Sequence, residues 1–468
     1  MSIHIDENKY RVLQASSYLV FGAARSGRAA AELLKSLGRN VIVRDEGEPA
    51  KLTQADEFFR SVEIPFYCGP SQASDLDSIQ AIILSPGIPL KHPLLIEAQR
   101  RNIPIYSELE LGWACSPAQF VAITGSNGKT TTTHLVAHFL KTAGIPTLEA
   151  GNIGRPLCEA IRDPEASRKG AIISLEVSSF QLETIDQFQP KVAIVLNVTP
   201  DHMDRYENSM DQYAAAKERI TQNQTANDAL IVNQDDSYCL RMLQRSDAQP
   251  WAFSTLRPVE RGGYLSEEML LAGAGNARKL ATLDEVPLRG MHNISNILAA
   301  ASAACFLQLP FDSIRKSVAT ASAPRHRLQF VREVNGVEYY NDSKATNIDA
   351  LIKALESFAE PVILLAGGRD KNSPFAELAS KVRPRIKRLI TFGEAGPLIA
   401  RTWGQGVISA EVPDLPAAIR AASQAALPGD VVLLSPACAS FDQFRNYEER
   451  GDIFINLVEQ LAGEAVPS

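Results

Sequence analysis

The sequence is poor in cysteine, and its six cysteines are scattered along the chain. No two of them form a C-x-x-C pair, which argues against zinc-binding and dithiol redox motifs. Six cysteines in 468 residues are also too few for a disulfide scaffold, so we expect reduced thiols. A run of about 18 apolar residues is absent, so we expect no membrane span. The first residues lack the basic and apolar segments of a signal peptide, and we expect a cytoplasmic protein.

The sequence also lacks a surplus of basic residues. Its 47 Lys and Arg residues are outnumbered by 54 Asp and Glu residues, which gives a formal net charge of −7. Proteins that bind the phosphate backbone of nucleic acids usually present a basic surface, so we expect no nucleic-acid partner. A small anionic substrate held by a few local cations is still compatible with this charge.

Apolar, β-rich runs alternate with helical patterns along the whole chain. Runs such as "NVIVRD", "VAIVLNV" and "DVVLLSP" predict strands of parallel sheets that are covered by helices on both faces. The length suits about three domains. Interruptions of the pattern near 107–117 and 322–325 place these domains at 1–107, 108–323 and 324–468. The predicted fold class is therefore α/β with three domains, and ligands are expected beyond the carboxyl ends of the strands.

The first glycine-rich turn, "VFGAARSGRAAAELL", joins a predicted strand to a helix. Gly22 and Gly27 flank the turn, and Asp45 ends the next strand. This resembles a dinucleotide-binding fingerprint, but the middle glycine is missing and Ala24 stands where a pyrophosphate would approach closely. Two alternatives stay open: a plain turn between a strand and a helix, or a nucleotide site in which Asp45 contacts a uracil or a ribose.

The second glycine-rich turn, "ITGSNGKTTTT", gives the stronger signal. It contains Gly125, Gly128, Lys129 and Thr130 after an apolar run that ends at Ile123. Backbone N–H groups of such a turn and of a helix N-terminus bind phosphate, and the lysine adds a positive charge. The threonine offers a hydroxyl to Mg²⁺. The spacing G-x-x-G-K-T is shorter than that of the usual P-loop, so the turn predicts a shortened phosphate loop.

Three polar residues stand near strand ends, where a Mg–ATP site would need them. Glu176 ends "AIISLEVSS", His202 lies in "NVTPDHMDRY" and Lys217 lies in "YAAAKERI". Beside the phosphate loop, Glu176 is a candidate Mg²⁺ carboxylate and His202 a candidate second ligand. Each residue also has a purely structural interpretation: a helix cap for Glu176, a hydrogen-bonded loop residue for His202, and a solvated helix residue for Lys217.

Later motifs extend the candidate site. In "HNISNILAAA", Asn293 and Asn296 share one helix face and could read an adenine edge, unless Asn293 simply caps the helix. Arg327 in "RHRLQF" lies at the second domain junction and could reach a γ-phosphate or form a linker salt bridge. The motifs "NDSKATN", "LAGGRDKN" and "SPACASFDQFRNYEERG" each follow an apolar run. They supply the small residues and cations that suit a small carboxylate-bearing substrate.

The order of these motifs resembles that of the Mur ligases. The motifs that follow this order are "TGSNGKTTT", "GNIG", "LEVSSFQLE", "LNVTPDHMDRY", "AAKERI", "HNISN", "HRLQF", "NDSKATN" and "LLSPACASFDQFRNYEERG". Three of their parts, "SSFQLE", "DHMDRY" and "SPACASFDQF", together with "SPGIP" near the N-terminus, resemble the family members that add D-glutamate. The resemblance covers essentially the whole chain.

The resemblance implies an ATP-dependent amide ligase of bacterial peptidoglycan synthesis. It implies a Rossmann-like N-terminal domain that binds the UDP part of UDP-N-acetylmuramoyl-L-alanine. It also implies a central P-loop ATPase-like domain with a parallel sheet, and a C-terminal Rossmann-like lid that binds D-glutamate. The implied cofactors are ATP, two Mg²⁺ ions and a carbamate on Lys217, and we expect a monomer.

Motif by motif, the resemblance also assigns residues to each ligand. The expected catalytic residues are Lys129, His202 and Lys217. The expected ATP contacts are Gly125, Asn127, Gly128, Lys129, Thr130, Thr131, Asn293, Asn296, Arg327 and Asp342. The expected metal ligands are Thr130, Glu176, His202 and carbamylated Lys217. The expected contacts of the UDP-substrate are Ala24, Arg25, Ser26, Asp45, Ser85, Gly87, Asn152 and His202. The expected contacts of glutamate are Lys344, Thr346, Lys371, Ser440, Phe441 and Tyr447.

Other classes of protein share parts of this pattern. A P-loop switch or motor would use ATP only to change shape, and it would need no pocket for a small acid. A nicotinamide oxidoreductase built on Gly22 and Gly27 would change the fluorescence of NAD(P)H. Within the ligases, the nearest alternative is an enzyme that adds a different amino acid or makes folylpolyglutamate.

Overall fold

The computed structural model describes residues 9–370 and 373–461. The chain folds into two compact units. The first unit contains the described residues before 287 together with 292–321. The second unit contains 287–291 and the described residues from 322 onward. The six cysteines all lie in the described part and form no disulfide, as expected.

The first unit begins with a five-stranded sheet. Its strands are β1 (Ser17–Phe21), β2 (Asn40–Asp45), β3 (Phe66–Cys68), β4 (Ala81–Leu84) and β5 (Ile105–Ser107), and its α-helices are α1 (Arg25–Ser36), α2 (Thr53–Ser61) and α3 (Pro93–Arg100). The strand order is β3-β2-β1-β4-β5, and all neighbouring strands are parallel. This order reverses direction at β1, which opens a crevice for a ligand at the carboxyl ends of the central strands.

A nine-stranded sheet forms the rest of the first unit. Its strands are β6 (Gln119–Thr124), β7 (Thr147–Gly151), β8 (Ile172–Glu176), β9 (Val192–Val195), β10 (Ala229–Asn233), β11 (Gln249–Ser254), β12 (Arg261–Ser266), β13 (Met269–Ala274) and β14 (Arg278–Thr282). The accompanying helices are α4 (Glu108–Ala114), α5 (Lys129–Thr142), α6 (Leu157–Ala160), α7 (Ser179–Leu182), α8 (Met210–Glu218), α9 (Ser237–Leu243), α10 (Met291–Phe306) and α11 (Phe311–Ala319). The strand order is β14-β13-β12-β11-β10-β9-β6-β8-β7. Only the edge strands β12 to β14 pair in antiparallel fashion within this sheet of the described chain.

The second unit is built on a six-stranded sheet. Its strands are β15 (Gln329–Val334), β16 (Val337–Asn341), β17 (Val362–Gly367), β18 (Ile386–Phe392), β19 (Ile408–Glu411) and β20 (Val431–Leu434). Its helices are α12 (Ile348–Leu355), α13 (Phe375–Val382), α14 (Gly396–Trp403), α15 (Leu415–Ala425) and α16 (Tyr447–Glu459). The strand order is β15-β16-β20-β17-β18-β19, and the pairing is parallel apart from the β15–β16 edge.

The apolar runs of the sequence form the centres of these sheets. Every residue of β9, β17 and β20 is buried, because helices cover both faces of the sheet. The chain therefore has three α/β domains with mainly parallel sheets, and the predicted fold class is confirmed. Within the described residues, no helix combines the length and the apolar character that crossing a bilayer requires.

Candidate active site

The second glycine-rich turn forms a tight loop between β6 and α5. Gly128, the residue before the helix, has a φ of +85°. A β-carbon there would stand 2.6 Å from Oδ1 of Asn296. Only glycine fits both this backbone conformation and this close contact. The loop leads directly into Lys129, the first residue of a 14-residue helix, as the motif predicted.

Polar contacts with the segment after β9 hold this loop in shape. The N–H group of Asn127 donates to Oδ1 of Asn197 over 2.8 Å, and Nδ2 of Asn197 donates back to the carbonyl of Asn127 over 3.1 Å. The hydroxyl of Ser126 donates to the carbonyl of Thr199 over 2.8 Å. The predicted phosphate contacts from Gly125 to Thr131 therefore lie on one fixed turn and the first turn of α5.

Two lysine ammonium groups meet at one carbonyl of the loop. Nζ of Lys129 donates to the carbonyls of Gly125 and Ser126 over 2.8 and 2.9 Å. Nζ of Lys217 donates to the same Gly125 carbonyl over 3.0 Å. Because like charges at such short range repel, this arrangement favours either a bound anion or the loss of a proton.

Lys217 is buried rather than solvated. Its relative exposure is 1%, and its Nζ lies 4.3 Å from the ring centroid of Tyr213. Burial, reinforced by the charge of Lys129, lowers the pKa of Lys217 well below its ordinary value. The interpretation of Lys217 as a solvated helix residue is therefore wrong. The neutral amine is favoured here in comparison with an exposed lysine.

A hydroxyl and a carboxylate face each other beside the loop. Oγ1 of Thr130 donates to Oε2 of Glu176 over 2.7 Å, and Nδ2 of Asn152 donates to Oε1 of the same carboxylate over 3.2 Å. Glu176 is the last residue of β8 and is 2% exposed. The following helix is capped by Ser178, so Glu176 is not its cap. Hard oxygen ligands of this kind are those that Mg²⁺ prefers, so the pair fits a magnesium site.

His202 contacts residues other than this pair. It has a φ of +51° in the loop after β9, and its side chain is 54% exposed. Its ring centroid is 4.9 Å from that of Phe180, and its Nε2 is 3.6 Å from Oδ2 of Asp201. In the described chain, no group of three or more His, Cys, Asp or Glu side chains could hold a metal ion. The role of His202 as a metal ligand therefore stays a prediction.

One of the two asparagines of α10 contacts the helix that follows the phosphate loop. Both are buried, and Oδ1 of Asn296 accepts a hydrogen bond from Oγ1 of Thr132 over 3.2 Å. Nδ2 of Asn296 lies 3.5 Å from Oδ1 of Asn293. Since α10 begins at Met291, Asn293 lies inside the helix and is not its N-cap. A contact of these amides with adenine stays a prediction.

A cavity of about 530 Å³ opens at the carboxyl ends of the first sheet. The residues that the sequence assigned to the UDP part and that line this cavity are Ala24, Arg25, Ser26, Asp45, Ser85 and Gly87. Asn152 and His202, which were assigned to the same substrate, are not among its lining residues. The structure therefore brings the predicted contacts of the first domain together around one cavity.

The carboxylate of Asp45 stabilises the wall of this cavity through two hydrogen bonds. Its Oδ2 accepts a hydrogen bond from the N–H group of Ala23, and its Oδ1 accepts one from that of Gly47, both over 2.8 Å. The carboxylate thus connects the glycine-rich turn to the end of β2. Each oxygen still has a lone pair that can accept from a ligand.

A second carboxylate of this cavity was not predicted from the sequence. Oε1 of Glu46 accepts from the N–H group of Ser71 over 3.0 Å, and Oε2 lies 3.1 Å from Nε2 of His92. Nδ1 of His92 accepts from the N–H group of Leu94, so Nε2 carries the proton that faces Glu46. Partial burial raises the pKa of Glu46, but the hydrogen bonds from Ser71 and His92 outweigh it and lower the pKa overall. The three residues are far apart in sequence, so no local motif revealed them.

The second unit holds a buried carboxylate at the carboxyl ends of its strands. Oδ2 of Asp342 accepts from the hydroxyl of Ser435 over 2.9 Å, and Oδ1 accepts from the N–H group of Leu328 over 3.1 Å. Burial raises the pKa of Asp342 to about 7, although the hydrogen bonds from Ser435 and Leu328 and the charges of Arg327 and Arg450 oppose this shift. Arg327 and Asp342, both predicted to contact ATP, are therefore close enough to interact.

The predicted glutamate contacts lie on two segments of the second unit. Nζ of Lys344 stands 3.8 Å from the ring centroid of Tyr447, and the N–H group of Thr346 donates to the carbonyl of Lys344 over 2.8 Å. Ser440 is buried, whereas Phe441 is 61% exposed. Lys371 lies outside the described residues.

A buried arginine that was not predicted from the sequence joins these segments. Arg450 has a relative exposure of 0% and donates to the hydroxyl and the carbonyl of Ser343 over 2.9 and 2.7 Å. It also donates to the carbonyl of Cys438 over 3.2 Å. Burial lowers the pKa of Arg450 to about 10. The side chain ties the segment before Lys344 to the segment before Ser440.

Three family models match the chain in sequence order. The model of the Mur ligase MurD-like N-terminal domain matches 16–107, and that of the Mur ligase middle domain matches 123–304. The model of the Mur ligase glutamate ligase domain matches 326–438. The three matches together span more than half of the chain.

Curated relatives match over nearly the full length. The UDP-N-acetylmuramoylalanine–D-glutamate ligase of Koribacter versatilis is 42% identical over 446 residues, which cover 95% of this chain and 97% of the relative. The enzyme of the same name from Pelotomaculum thermopropionicum is 40% identical over 448 residues, with coverages of 95% and 97%.

Solved structures share the fold at lower identity. The UDP-N-acetylmuramate-alanine ligase of Thermotoga maritima is similar with a TM-score of 0.58 at 18% identity, and the match covers 95% of this chain and 99% of that chain. A folylpolyglutamate synthase of Mycobacterium tuberculosis matches with a TM-score of 0.53 at 15% identity, covering 72% and 91%. The fold, the order of the three family models and the relatives all agree: this chain belongs to the Mur ligase family.

Proposed function

We propose that the chain uses ATP to join D-glutamate to UDP-N-acetylmuramoyl-L-alanine, a step in the synthesis of peptidoglycan precursors. The observation that carries this proposal is the match to curated relatives of one name, at 40–42% identity over 95% of the chain. This match favours an amide-forming ligase over a P-loop switch or a nicotinamide oxidoreductase.

The phosphate loop is the proposed site of ATP. Backbone N–H groups at the start of α5 and the ammonium of Lys129 would bind the β- and γ-phosphates. We assign the adenine side to Asn293 and Asn296. Arg327 and Asp342 of the second unit are the proposed further contacts of ATP.

Thr130 and Glu176 are the proposed ligands of Mg²⁺, with His202 and a carbamate on Lys217 completing two ion sites. When bound, the ions would neutralise charge on the phosphoryl group during its transfer. An unmodified lysine has only N–H donors and cannot bind a cation, whereas its carbamate is anionic and offers two oxygens. Carbamylation consumes a neutral amine and CO₂, and the lowered pKa of Lys217 supports this modification.

The cavity of the first sheet is the proposed site of the UDP part of the substrate. We assign Ala24, Arg25, Ser26, Asp45, Ser85, Gly87, Asn152 and His202 to this substrate. For glutamate we propose Lys344, Thr346, Lys371, Ser440, Phe441 and Tyr447. The buried Arg450 supports the last assignment, because it fixes the segments that precede Lys344 and Ser440.

The reaction then has two steps. The substrate carboxylate attacks the γ-phosphorus of ATP, which forms an acyl phosphate and releases ADP. The amine of D-glutamate attacks the acyl carbon, loses a proton, and expels phosphate as the amide forms. Lys129 offsets the negative charge that moves during the first step. Water must be kept out, because it would hydrolyse the acyl phosphate.

We also propose the domain limits 1–107, 108–323 and 324–468 for the UDP-substrate, ATP and glutamate domains. ATP and UDP-linked precursors are cytoplasmic metabolites, which supports a cytoplasmic location. We expect a monomer, which light scattering on the purified chain would test.

Phosphate release in the presence and absence of each substrate tests the proposed reaction. We expect release only when ATP, UDP-N-acetylmuramoyl-L-alanine and D-glutamate are all present, together with a product that carries one added glutamate by mass spectrometry. L-Glutamate, glycine and D-alanine serve as matched alternative amino acids. ATP hydrolysis that does not depend on the other two substrates would favour a switch. A preference for another amino acid would favour a different ligase.

A further inference from the structure

Arg205 forms a dense set of contacts next to the loop of His202. Its Nε and Nη2 donate to Oε1 and Oε2 of Glu183 over 3.0 and 2.6 Å. Its guanidinium also lies 4.2 Å from the ring centroid of Phe180. The side chains of Arg205 and Glu183 are 14% and 13% exposed. A forked ion pair of this kind, stacked on an aromatic ring and largely shielded from water, holds the guanidinium in one orientation.

The same guanidinium reaches the wall of the cavity in the first sheet. Its Nη1 donates to the carbonyl of Pro86, and its Nη2 donates to the carbonyl of Ile88, both over 3.3 Å. Pro86, Gly87 and Ile88 line that cavity. Arg205 belongs to the domain of the phosphate loop, so it connects this domain to the wall of the neighbouring one.

Arg205 is also connected to His202. The N–H group of Arg205 donates to the carbonyl of His202 over 3.0 Å. The ring of Phe180 contacts both residues, with a centroid distance of 4.9 Å to the ring of His202. A shift of the guanidinium would therefore move the cavity wall and the His202 loop relative to each other.

We propose that Arg205 is a positioning residue that holds the UDP cavity at a fixed distance and orientation from the His202 loop. The inference rests on the proposed function, in which one elongated substrate places its UDP part in the cavity and its carboxylate near the phosphate loop. Such a substrate reacts only if both ends are held at the correct separation. A misplacement of about 1 Å costs on the order of 100-fold in rate.

The cavity wall has local hydrogen bonds that do not involve Arg205. The N–H group of Ser85 donates to the carbonyl of Phe21 over 2.9 Å, and that of Ile88 donates to the carbonyl of Ser85 over 3.1 Å. Loss of Arg205 should therefore leave the cavity able to bind UDP by itself. The complete substrate should still bind, but its carboxylate should no longer be aligned for reaction.

The chain offers a matched control for this experiment. Nη1 of Arg162 lies 3.2 Å from Oε2 of Glu32, and this ion pair also joins the first and the central domain. Neither residue lines the cavity. If Arg205 only contributed a polar contact between domains, Arg162→Met and Arg205→Met would have similar effects.

The test compares Arg205→Met, Arg205→Lys and Arg162→Met with the wild-type chain. We expect kcat to fall about 10- to 100-fold in both Arg205 variants, since lysine keeps the charge but cannot bind Glu183 and two carbonyls together. The affinity for UDP alone, measured by calorimetry, should change less than about twofold, as expected when only the reactive geometry is lost. Arg162→Met should keep wild-type values of both.

Three results would overturn the inference. One is full activity of a folded Arg205→Met, and another is restoration of kcat by Arg205→Lys, which would indicate a simple charge pair. The third is a parallel loss of UDP affinity, which would make Arg205 a part of the cavity only. A wild-type chain that does not turn over the proposed substrates would instead refute the proposed function, and the inference with it.

Discussion

At the scale of single residues, Lys129 is the cation fixed at the N-terminus of α5. We predict that Lys129→Ala lowers substrate-dependent phosphate release by about 1,000-fold or more, because a positioned charge is lost from the moving phosphoryl group. Lys141→Ala on the same helix is the matched control, since Lys141 is exposed and lies 3.6 Å from Glu149. Circular dichroism checks the fold. Normal turnover of a folded Lys129→Ala would refute the phosphate-loop assignment.

Lys217 gives the second prediction at this scale. We predict that Lys217→Arg loses most of the activity, because arginine keeps the positive charge but forms no such carbamate. In the wild-type chain, activity should depend on dissolved CO₂, and ¹³C-bicarbonate should give a carbamate carbonyl signal in the NMR spectrum. That signal should vanish in Lys217→Arg. An active variant, combined with a wild-type spectrum without the signal, would leave Lys217 as a structural lysine.

The positions of residues that follow strands within a motif could be predicted, and contacts between residues far apart in sequence could not. The roles suggested for Lys129 and Glu176 depend on local order, a glycine-rich turn and a strand end. By contrast, Glu46 receives hydrogen bonds from Ser71 and His92, which other elements bring to it. Arg450 lies in a motif that was noted, but its role was missed because its partner Ser343 lies on a distant segment. Such contacts are set by tertiary packing, and one sequence carries no local sign of them.

At the scale of elements, the parallel cores of the sheets were predictable and their edges were not. Continuous apolar runs indicated buried parallel strands such as β9 and β20. The antiparallel edge strand β15 has no such run, because much of it is only partly buried. Edge strands often carry charged residues that limit pairing with other chains, so their sequences resemble buried strands less clearly. Strands β12, β13 and β14 likewise form antiparallel hairpins at the edge of the nine-stranded sheet.

The start of α4 carries a buried carboxylate that makes stability depend on pH. Oε1 of Glu108 accepts from the N–H group of Cys158 at the second residue of α6 over 2.5 Å. Burial raises the pKa of Glu108 from 4.5 to about 7. The folded chain therefore binds this proton more tightly than the unfolded chain does. The stabilisation that the protonated Glu108 carboxyl contributes is complete below about pH 4.5 and is lost as the pH rises through about 7.

We therefore predict that Glu108→Gln stabilises the contact between α4 and α6 at pH 8, by up to about 3 kcal/mol. The amide keeps an acceptor for the N–H group of Cys158 but carries no charge. The gain should shrink at pH 5, where Glu108 is already protonated in the folded chain. Hydrogen exchange of peptides from 108–114 and 157–160 measures it. Glu57→Gln, at an exposed position of α2, is the control, and an equal gain at both pH values would contradict the prediction.

At the scale of the whole molecule, a five-residue segment of the second compact unit stands in sequence between two parts of the first. Residues 287–291 belong to the second unit and end at Met291, the first residue of α10, whereas the rest of α10 belongs to the first unit. Arg289 anchors this segment, since its Nη1 and Nη2 donate to Glu360 and Glu338 over 2.5 and 2.7 Å. Its guanidinium also lies 5.5 Å from the ring centroids of Tyr340 and Phe358.

We predict that Arg289→Met lowers the free energy of unfolding of the second unit by about 1–3 kcal/mol, because two charge-assisted hydrogen bonds are lost. The first unit should keep its stability. Hydrogen exchange read by mass spectrometry follows the two units separately. Arg385→Met is the control, because Arg385 forms an exposed pair with Glu356 at 3.6 Å. Equal destabilisation of both units would show that Arg289 does not act on the second unit alone.

The hydrogen bonds from Arg205 to the cavity wall have a consequence for drug resistance. They end on the carbonyls of Pro86 and Ile88, and every residue type carries a backbone carbonyl. Substitutions at these two positions can therefore arise under selection by an inhibitor without removing the hydrogen bonds from Arg205 to the cavity wall. An inhibitor that fills the cavity through the side chains at these positions would meet escape variants at little cost to the enzyme. If Arg205 positions the substrate as proposed, a compound that displaces its guanidinium would break contacts that substitutions at Pro86 and Ile88 cannot restore.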